Sequence, residues 1–186
     1  MRALALTLAA VAALSACGGS SSGRPQTLPP VSASPAPVTS PTPAAAAVPA
    51  AAQAATSAGA EAFARFVYTQ IKLAFETKNP DLVRAISAPG CASCDRFVNS
   101  ITKLRDNNER VENFGMNVMF AVSPAVTGET TRVDVSWSSP EMIRYDASGK
   151  VLTREGPFRR VDDQMNLVRK GDGWLIAQLR ALRTQK

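Results

Sequence analysis

Histidine is missing from all 186 residues. Its absence excludes a Ser-His-Asp triad, a Cys-His dyad, a histidine-ligated zinc site and a histidine general base built from this chain alone. Tyrosine and tryptophan are scarce, two of each, so a phenolic group could act only at Tyr68 or Tyr145. There are three cysteines, too few for a disulfide-dense scaffold. The apolar run from Ala3 to Leu14 falls short of the roughly 20 residues that a membrane-spanning helix requires. Between Gly18 and Ser57 there is one charge, Arg24, and no aromatic residue. The length allows one ordinary domain, or one domain with tails.

The amino terminus reads as a sorting signal. Met1-Arg2 is a minimal positive segment, Ala3–Leu14 has the length of a signal-peptide apolar core, and the run closes on Leu14-Ser15-Ala16-Cys17. Leu-Ser-Ala-Cys resembles the lipobox of bacterial lipoproteins. That resemblance implies cleavage between Ala16 and Cys17 and a diacylglyceryl group on the Cys17 sulfur. Stable anchoring takes two signals such as two acyl chains, which a diacyl group supplies. The expected partner of this end is therefore the lipid membrane, with the protein held at the cell membrane on its extracytoplasmic side. Residues 1–16 are the expected signal peptide.

Residues 17–57 are expected to form a lipidated cysteine and a disordered tether. The stretch is Ser, Thr, Pro, Ala and Gln, and it carries eight of the 13 prolines. It has too little bulky apolar surface to offset ordering entropy, and its prolines interrupt helices and ladders. Roughly 40 residues of this kind reach on the order of 120 Å when extended in a polyproline-like form, and nearer 35 Å as a flexible coil.

Residues 58–186 are expected to fold as one α+β domain. In Gly59–Thr77, Phe63, Val67, Ile71, Ala74 and Phe75 recur at spacings of one helical face, with Thr56 or Ser57 as cap. Asn79-Pro80 starts a short second helix over Pro80–Ile86, and Pro89-Gly90 ends it. A third helix runs from about Cys94 to Val111. After Glu112 the period falls to two: Phe114, Met116, Val118, Phe120 and Val122 alternate with small or polar neighbours, and Val133, Val135 and Trp137 do likewise. Met142–Tyr145 and Val151–Arg154 flank a turn at Asp146–Gly149, and Met165–Arg169 and Trp174–Leu182 flank another. Helices followed by strands place the helices on one face of an antiparallel sheet.

The Gly-Ala-Glu-Ala-Phe-Ala-Arg-Phe start at residue 59, Thr77-Lys78-Asn79-Pro80-Asp81-Leu82, Pro89-Gly90-Cys91-Ala92-Ser93-Cys94 and Gly171-Asp172-Gly173-Trp174 resemble a family of uncharacterised actinobacterial lipoproteins. That family looks like a member of the cone-shaped α+β superfamily typified by nuclear transport factor 2 and ketosteroid isomerase. The resemblance implies a curved antiparallel sheet wrapped around a long helix, with an open-ended cavity. It implies no activity.

With Cys17 lipidated, Cys91 and Cys94 form an even exported pair, which predicts a disulfide worth roughly 2 kcal/mol through loop closure. Thiol–disulfide exchange is the sharper alternative. Against it, the motif follows a helix and Pro89-Gly90 rather than a βαβ strand. Two sulfurs without further ligands make no zinc site, and no metal or cofactor is expected. For the cavity wall the candidates are Val133, Val135, Trp137 and Trp174. Possible acids are Asp134, expected to face water, and Asp162-Asp163; Tyr68 is expected to pack with its hydroxyl satisfied. These residues compose no recognisable catalytic constellation.

From residue 59 onward there are 19 basic and 15 acidic residues, a net +4. Arg154, Arg159, Arg160, Arg169, Lys170, Arg180, Arg183 and Lys186 make the C-terminal end basic, which fits an anionic envelope component or a solvated face. Export removes nucleic acid from the partners. The leading expectation is a non-enzymatic binding module or one that engages a protein partner; the alternatives are an enzyme using the cavity and, third, a thiol oxidoreductase.

Overall fold

The computed structural model describes residues 47–186. The expected signal peptide, Ala16, Cys17 and nearly all of the tether lie outside the described residues. Helix α1 spans Ser57–Thr77, and the Thr56 side chain caps it by accepting from Gly59 N at 3.1 Å. Phe63, Val67, Tyr68, Ile71 and Ala74 bury one stripe of α1. Lys78, left-handed at φ 53°, ends it. Helix α2 is one turn, Asp81–Arg84, and Asn79 Oδ1 accepts from Asp81 N at 3.1 Å. Helix α3, Ala92–Asp106, starts at the Cys91–Cys94 disulfide and buries Val98, Ile101 and Leu104.

Seven strands follow: β1 Arg110–Glu112, β2 Asn117–Val122, β3 Thr130–Ser139, β4 Met142–Tyr145, β5 Val151–Glu155, β6 Phe158–Lys170 and β7 Gly173–Gln185. They form two antiparallel sheets, one ordered β2-β3-β6-β7 and the other β1-β4-β5. The division falls where the β3–β6 pairing is interrupted. Pro140 has no N–H to give to a ladder, and opposite it Gly156 (φ 88°) brings its backbone so close that an added Cβ would lie 3.2 Å from Pro140 O. Past these breaks the same hairpin continues as β4 and β5 in the smaller sheet. β1, three residues long, is too short to show a period.

Both edges of the larger sheet are partly occupied, as exposed ladder groups invite unwanted pairing. On β2, Glu61 Oε1 accepts from Ser123 N at 2.9 Å and Arg65 donates to Val118 O at 3.3 Å, both side chains coming from α1. On β7, Ile176 exchanges backbone bonds with Ile86 and Ala88, and Ser93 Oγ accepts from Leu179 N at 2.8 Å.

Three expectations need correction. The third helix, expected to reach Val111, ends at Asp106, and Arg110–Glu112 pairs with β4 as strand β1. The alternation placed Val118, Phe120 and Val122 on one face, but an irregularity between Val118 and Phe120 shifts the pleat. Ala121 is therefore the buried residue, and Phe120 and Val122 are exposed on the far side. Packing also begins earlier than residue 58. Val48 packs against the core, a short 3₁₀ turn spans Ala50–Ala52, and Ala52 is fully buried. The contacts that hold this strap are mostly made to its backbone: Arg169 donates to Gln53 O at 2.6 Å and Trp174 Nε1 to Ala54 O at 2.9 Å. Composition counts side-chain surface and is blind to backbone acceptors.

Gly59 lies beneath the strap, where a Cβ would stand 2.1 Å from Ala54 O. Alanine ordinarily favours a helix by about 1 kcal/mol over glycine. Here Gly59→Ala is expected to reverse that sign, costing about 1–3 kcal/mol through overpacking. Chemical denaturation checks the loss, and faster amide exchange at Ala52 and Gln53 localises it to the strap; a more stable variant would contradict this packing.

Candidate cavity at the centre of the domain

Asp163 sits on the inner face of β6, directly between Val135 of β3 and Ala181 of β7 in the register. The β6 sequence alternates: Val161, Asp163, Met165 and Leu167 are buried, with less buried polar residues between them. Asp163 is thus a carboxylate at an apolar position, only 5% exposed. Its Oδ2 accepts two hydrogen bonds at 2.6 Å, one from Tyr68 Oη on α1 and one from Trp137 Nε1 on β3. The Tyr68 and Trp137 rings lie 6.2 Å apart at a 47° tilt, so both donors converge on the same oxygen. Among the described residues no donor is placed on Oδ1.

A cavity of about 490 Å³ opens beside this group. That is within the roughly 300–1,000 Å³ of small-molecule sites. Asp163 and Trp137 line it from the larger sheet, and α3 contributes Ser93, Arg96, Phe97, Ser100 and Leu104, which share one helical face. From the smaller sheet come Val111, Arg144 and Thr153, neighbours in one cross-strand row, and Met142 and Glu155, neighbours in the next. Phe75 stacks on Phe114 with centroids 4.2 Å apart, and Phe97 meets Phe75 edge-on at 6.5 Å. The wall is mostly apolar and aromatic, with a few convergent polar groups.

Burial pushes the Asp163 carboxyl above its usual range; the bonds from Tyr68 and Trp137 oppose that shift, and the neighbouring Asp162 adds to it. Burial, and then the charge of Asp163, push the Tyr68 phenol strongly upward. Tyr68 is therefore a fixed donor and not a base. Asp162 points to the opposite face, where Ser136 and Arg160 bond it and hold its carboxyl below the usual range.

The other expected residues fall elsewhere. Of the four cavity-wall candidates, Trp137 lines the cavity. Val133 and Val135 are 0% and 1% exposed within the core, since the volume beside them is filled by the apolar stripe of α1. Trp174 is drawn away by its bond to Ala54 and by Arg169, whose guanidinium lies 4.9 Å from its ring centroid. Asp134 is half-exposed and pairs with Arg132 at 3.3 Å. Tyr145 bonds Glu112 at 2.8 Å and does not line the cavity. The Cys91 and Cys94 sulfurs belong to residues 2% exposed and already joined, an environment that shields them from exchange. The basic residues fall into two groups: Arg169 and Lys170 lie at the β6–β7 turn, whereas Arg159, Arg160, Arg183 and Lys186 lie at the other end of that hairpin, roughly 30 Å away along the strand. No group of three metal-ligating side chains comes together among the described residues.

What sequence reading missed is the direction of Asp163. Its signal was available: Val161-x-Asp163-x-Met165-x-Leu167 is a clean period of two, hidden when the strand is started at Met165.

Helices first, then antiparallel sheets beside a cavity, make the α+β arrangement expected of the cone-shaped superfamily. The intermembrane-space region of the chloroplast protein ARC6 is similar at 12% identity and a TM-score of 0.51, over 66% of this chain and 93% of that one. A nuclear-transport-factor-2-like protein of unknown function from Shewanella oneidensis is similar at 7% identity and a TM-score of 0.40, over 63% and 94%. The chain belongs to DUF6318, a family of unknown function, whose model matches residues 31–180. No curated protein matches the sequence.

The raised Asp163 carboxyl has a signed consequence. An acid whose folded pKa lies above the unfolded value of about 3.9 contributes stability that is complete below that value and lost as pH rises through the folded pKa. The unfolding free energy of the native chain relative to Asp163→Asn is therefore expected to fall as pH rises from about 4 and then level off. Urea titrations across that range check it, and because Asp162 is present in both proteins its titration largely cancels. A relative stability that climbs with pH would show that the two hydrogen bonds outweigh burial.

Proposed function

We propose that this protein is a lipid-anchored extracytoplasmic module of the actinobacterial lipoprotein type that binds a small molecule in its central cavity. The cavity with Asp163 at its floor carries the binding half. A buried polar group inside an aromatic-lined space of ligand size is the arrangement by which pockets fix orientation while apolar walls supply affinity. The Leu-Ser-Ala-Cys17 sequence closing a short apolar run carries the anchoring half. The proline-rich stretch after it would hold the domain clear of the lipid surface.

Enzymatic use of the cavity is the second reading, and the Tyr68–Asp163 pair favours it specifically. A carboxyl raised by burial keeps its proton to higher pH than an exposed one, which suits proton transfer. Binding is preferred because both of the donors that touch Asp163 are directed at one oxygen as supports, and Tyr68, held protonated, adds no second proton-transfer group.

Mass spectrometry of protein extracted from its own envelope tests both halves. The denatured chain is expected to begin at Cys17 and carry an acyl mass, and Cys17→Ala is expected to move the protein from the membrane to the soluble fraction. Native spectra are expected to show a small non-covalent adduct that Ala181→Trp, which fills the cavity from β7, removes. A leader-bearing chain without acyl mass would overturn anchoring; an adduct indifferent to Ala181→Trp, or none at all, would overturn cavity binding.

A further inference from the structure

The cavity floor carries a carboxyl group with no cation paired to it. Buried carboxylates are ordinarily paired with a cation, because hydrogen bonds alone do not restore what a buried charge loses in leaving water. Asp163 takes part in none of the ion pairs among the described residues. The two arginines in the cavity wall do not serve it. Arg144 is held by Glu109, Nε to Oε2, at 3.1 Å, and Arg96, exposed on α3, forms no ion pair either. The wall's other acid, Glu155 on β5, is likewise without a basic partner and adds to the negative side. Both groups that touch Asp163, Tyr68 and Trp137, are neutral and occupy Oδ2.

Aromatic rings surround the same space. Trp137, Phe75, Phe97, Phe114 and Phe158 line it, and the π faces of such rings attract cations, with tryptophan the strongest. An acid left with one open oxygen inside an aromatic wall matches a positively charged nitrogen on an apolar body. A neutral alcohol would leave the charge uncompensated, and a carboxylate ligand would meet Asp163 with like charge.

We propose that the cavity recognises an organic cation, a protonated amine carried on an apolar or aromatic body, with its N–H groups donating to Oδ1 of Asp163 and its body packed against Trp137 and the Phe75–Phe114 stack. The proposal rests on the cavity reading above and names its ligand class.

The test compares three probes of matched size on the purified full-length chain at neutral pH: 3-phenylpropylamine, 3-phenylpropanol and 3-phenylpropionate. The two indole N–H resonances report separately, because Trp137 lines the cavity while Trp174 is bonded to Ala54 at the strap. The amine is expected to shift Trp137 with an affinity about tenfold above that of the alcohol, with the acid weakest and Trp174 unmoved. Asp163→Asn is expected to bring amine and alcohol within about twofold while the alcohol keeps its affinity. An unchanged Trp174 resonance certifies that the variant is folded; if it is not, the amine-to-alcohol ratio on the native chain decides alone. Alcohol binding as tightly as amine, with Trp137 shifted by both, would overturn the cation proposal and leave the cavity reading standing. Failure of all three to move Trp137 would overturn both.

Discussion

Placing a carboxylate at a core position of a sheet is costly, and the domain supports the one at Asp163 from two directions. Tyr68 reaches it from α1 and Trp137 from β3, each at 2.6 Å. A hydrogen bond to a charged acceptor contributes about 1.5–3 kcal/mol, and an unsatisfied buried acceptor costs a similar amount. The same two bonds tie the long helix to the two central strands of the larger sheet, so the helix–sheet packing and the cavity floor are one construction. Tyr68 is 1% exposed and Trp137 partly buried. The acid is thus sealed on the helix side and open toward the cavity.

The remainder of the architecture sets the space in front of that floor. Pro140 and Gly156 interrupt one long hairpin, and its distal half, rejoined as β4 and β5, turns Arg144, Thr153 and Glu155 toward the cavity. The opposite wall is α3. Its first turn is fixed by the Cys91–Cys94 bridge, and Ser93 within that turn holds the β7 backbone at Leu179. The disulfide thus sits where it positions a wall of the cavity, a structural role consistent with sulfurs that solvent does not reach.

The legible parts of this fold were those with a strong period. The α1 stripe, the body of α3, the turn at Asp146–Gly149 and the two strands that flank it follow directly from residue spacing. Boundaries failed where backbone chemistry, and not side-chain pattern, decides. The strap before Thr56 is held through carbonyls of Gln53 and Ala54, and the bulge near Val118 reverses an alternation that reads as regular. The site was half legible. Trp137 and Tyr68 stand out as rare aromatics, but only the three-dimensional register brings Tyr68 across to a residue 95 positions later in the chain. Asp163 was obscured by its neighbour Asp162, because an acidic pair in a strand reads as solvated until the pleat assigns one to each face.

The account depends on Asp163 being a buried acceptor shared by Tyr68 and Trp137. The most direct measurement is the hydrogen exchange and chemical shift of the Trp137 indole N–H, followed with and without Tyr68→Phe. A supported acid predicts an indole proton well protected from exchange and shifted downfield, moving further downfield when the competing phenol donor is removed. An indole proton that exchanges as freely as an exposed tryptophan, and that ignores Tyr68→Phe, would contradict the account.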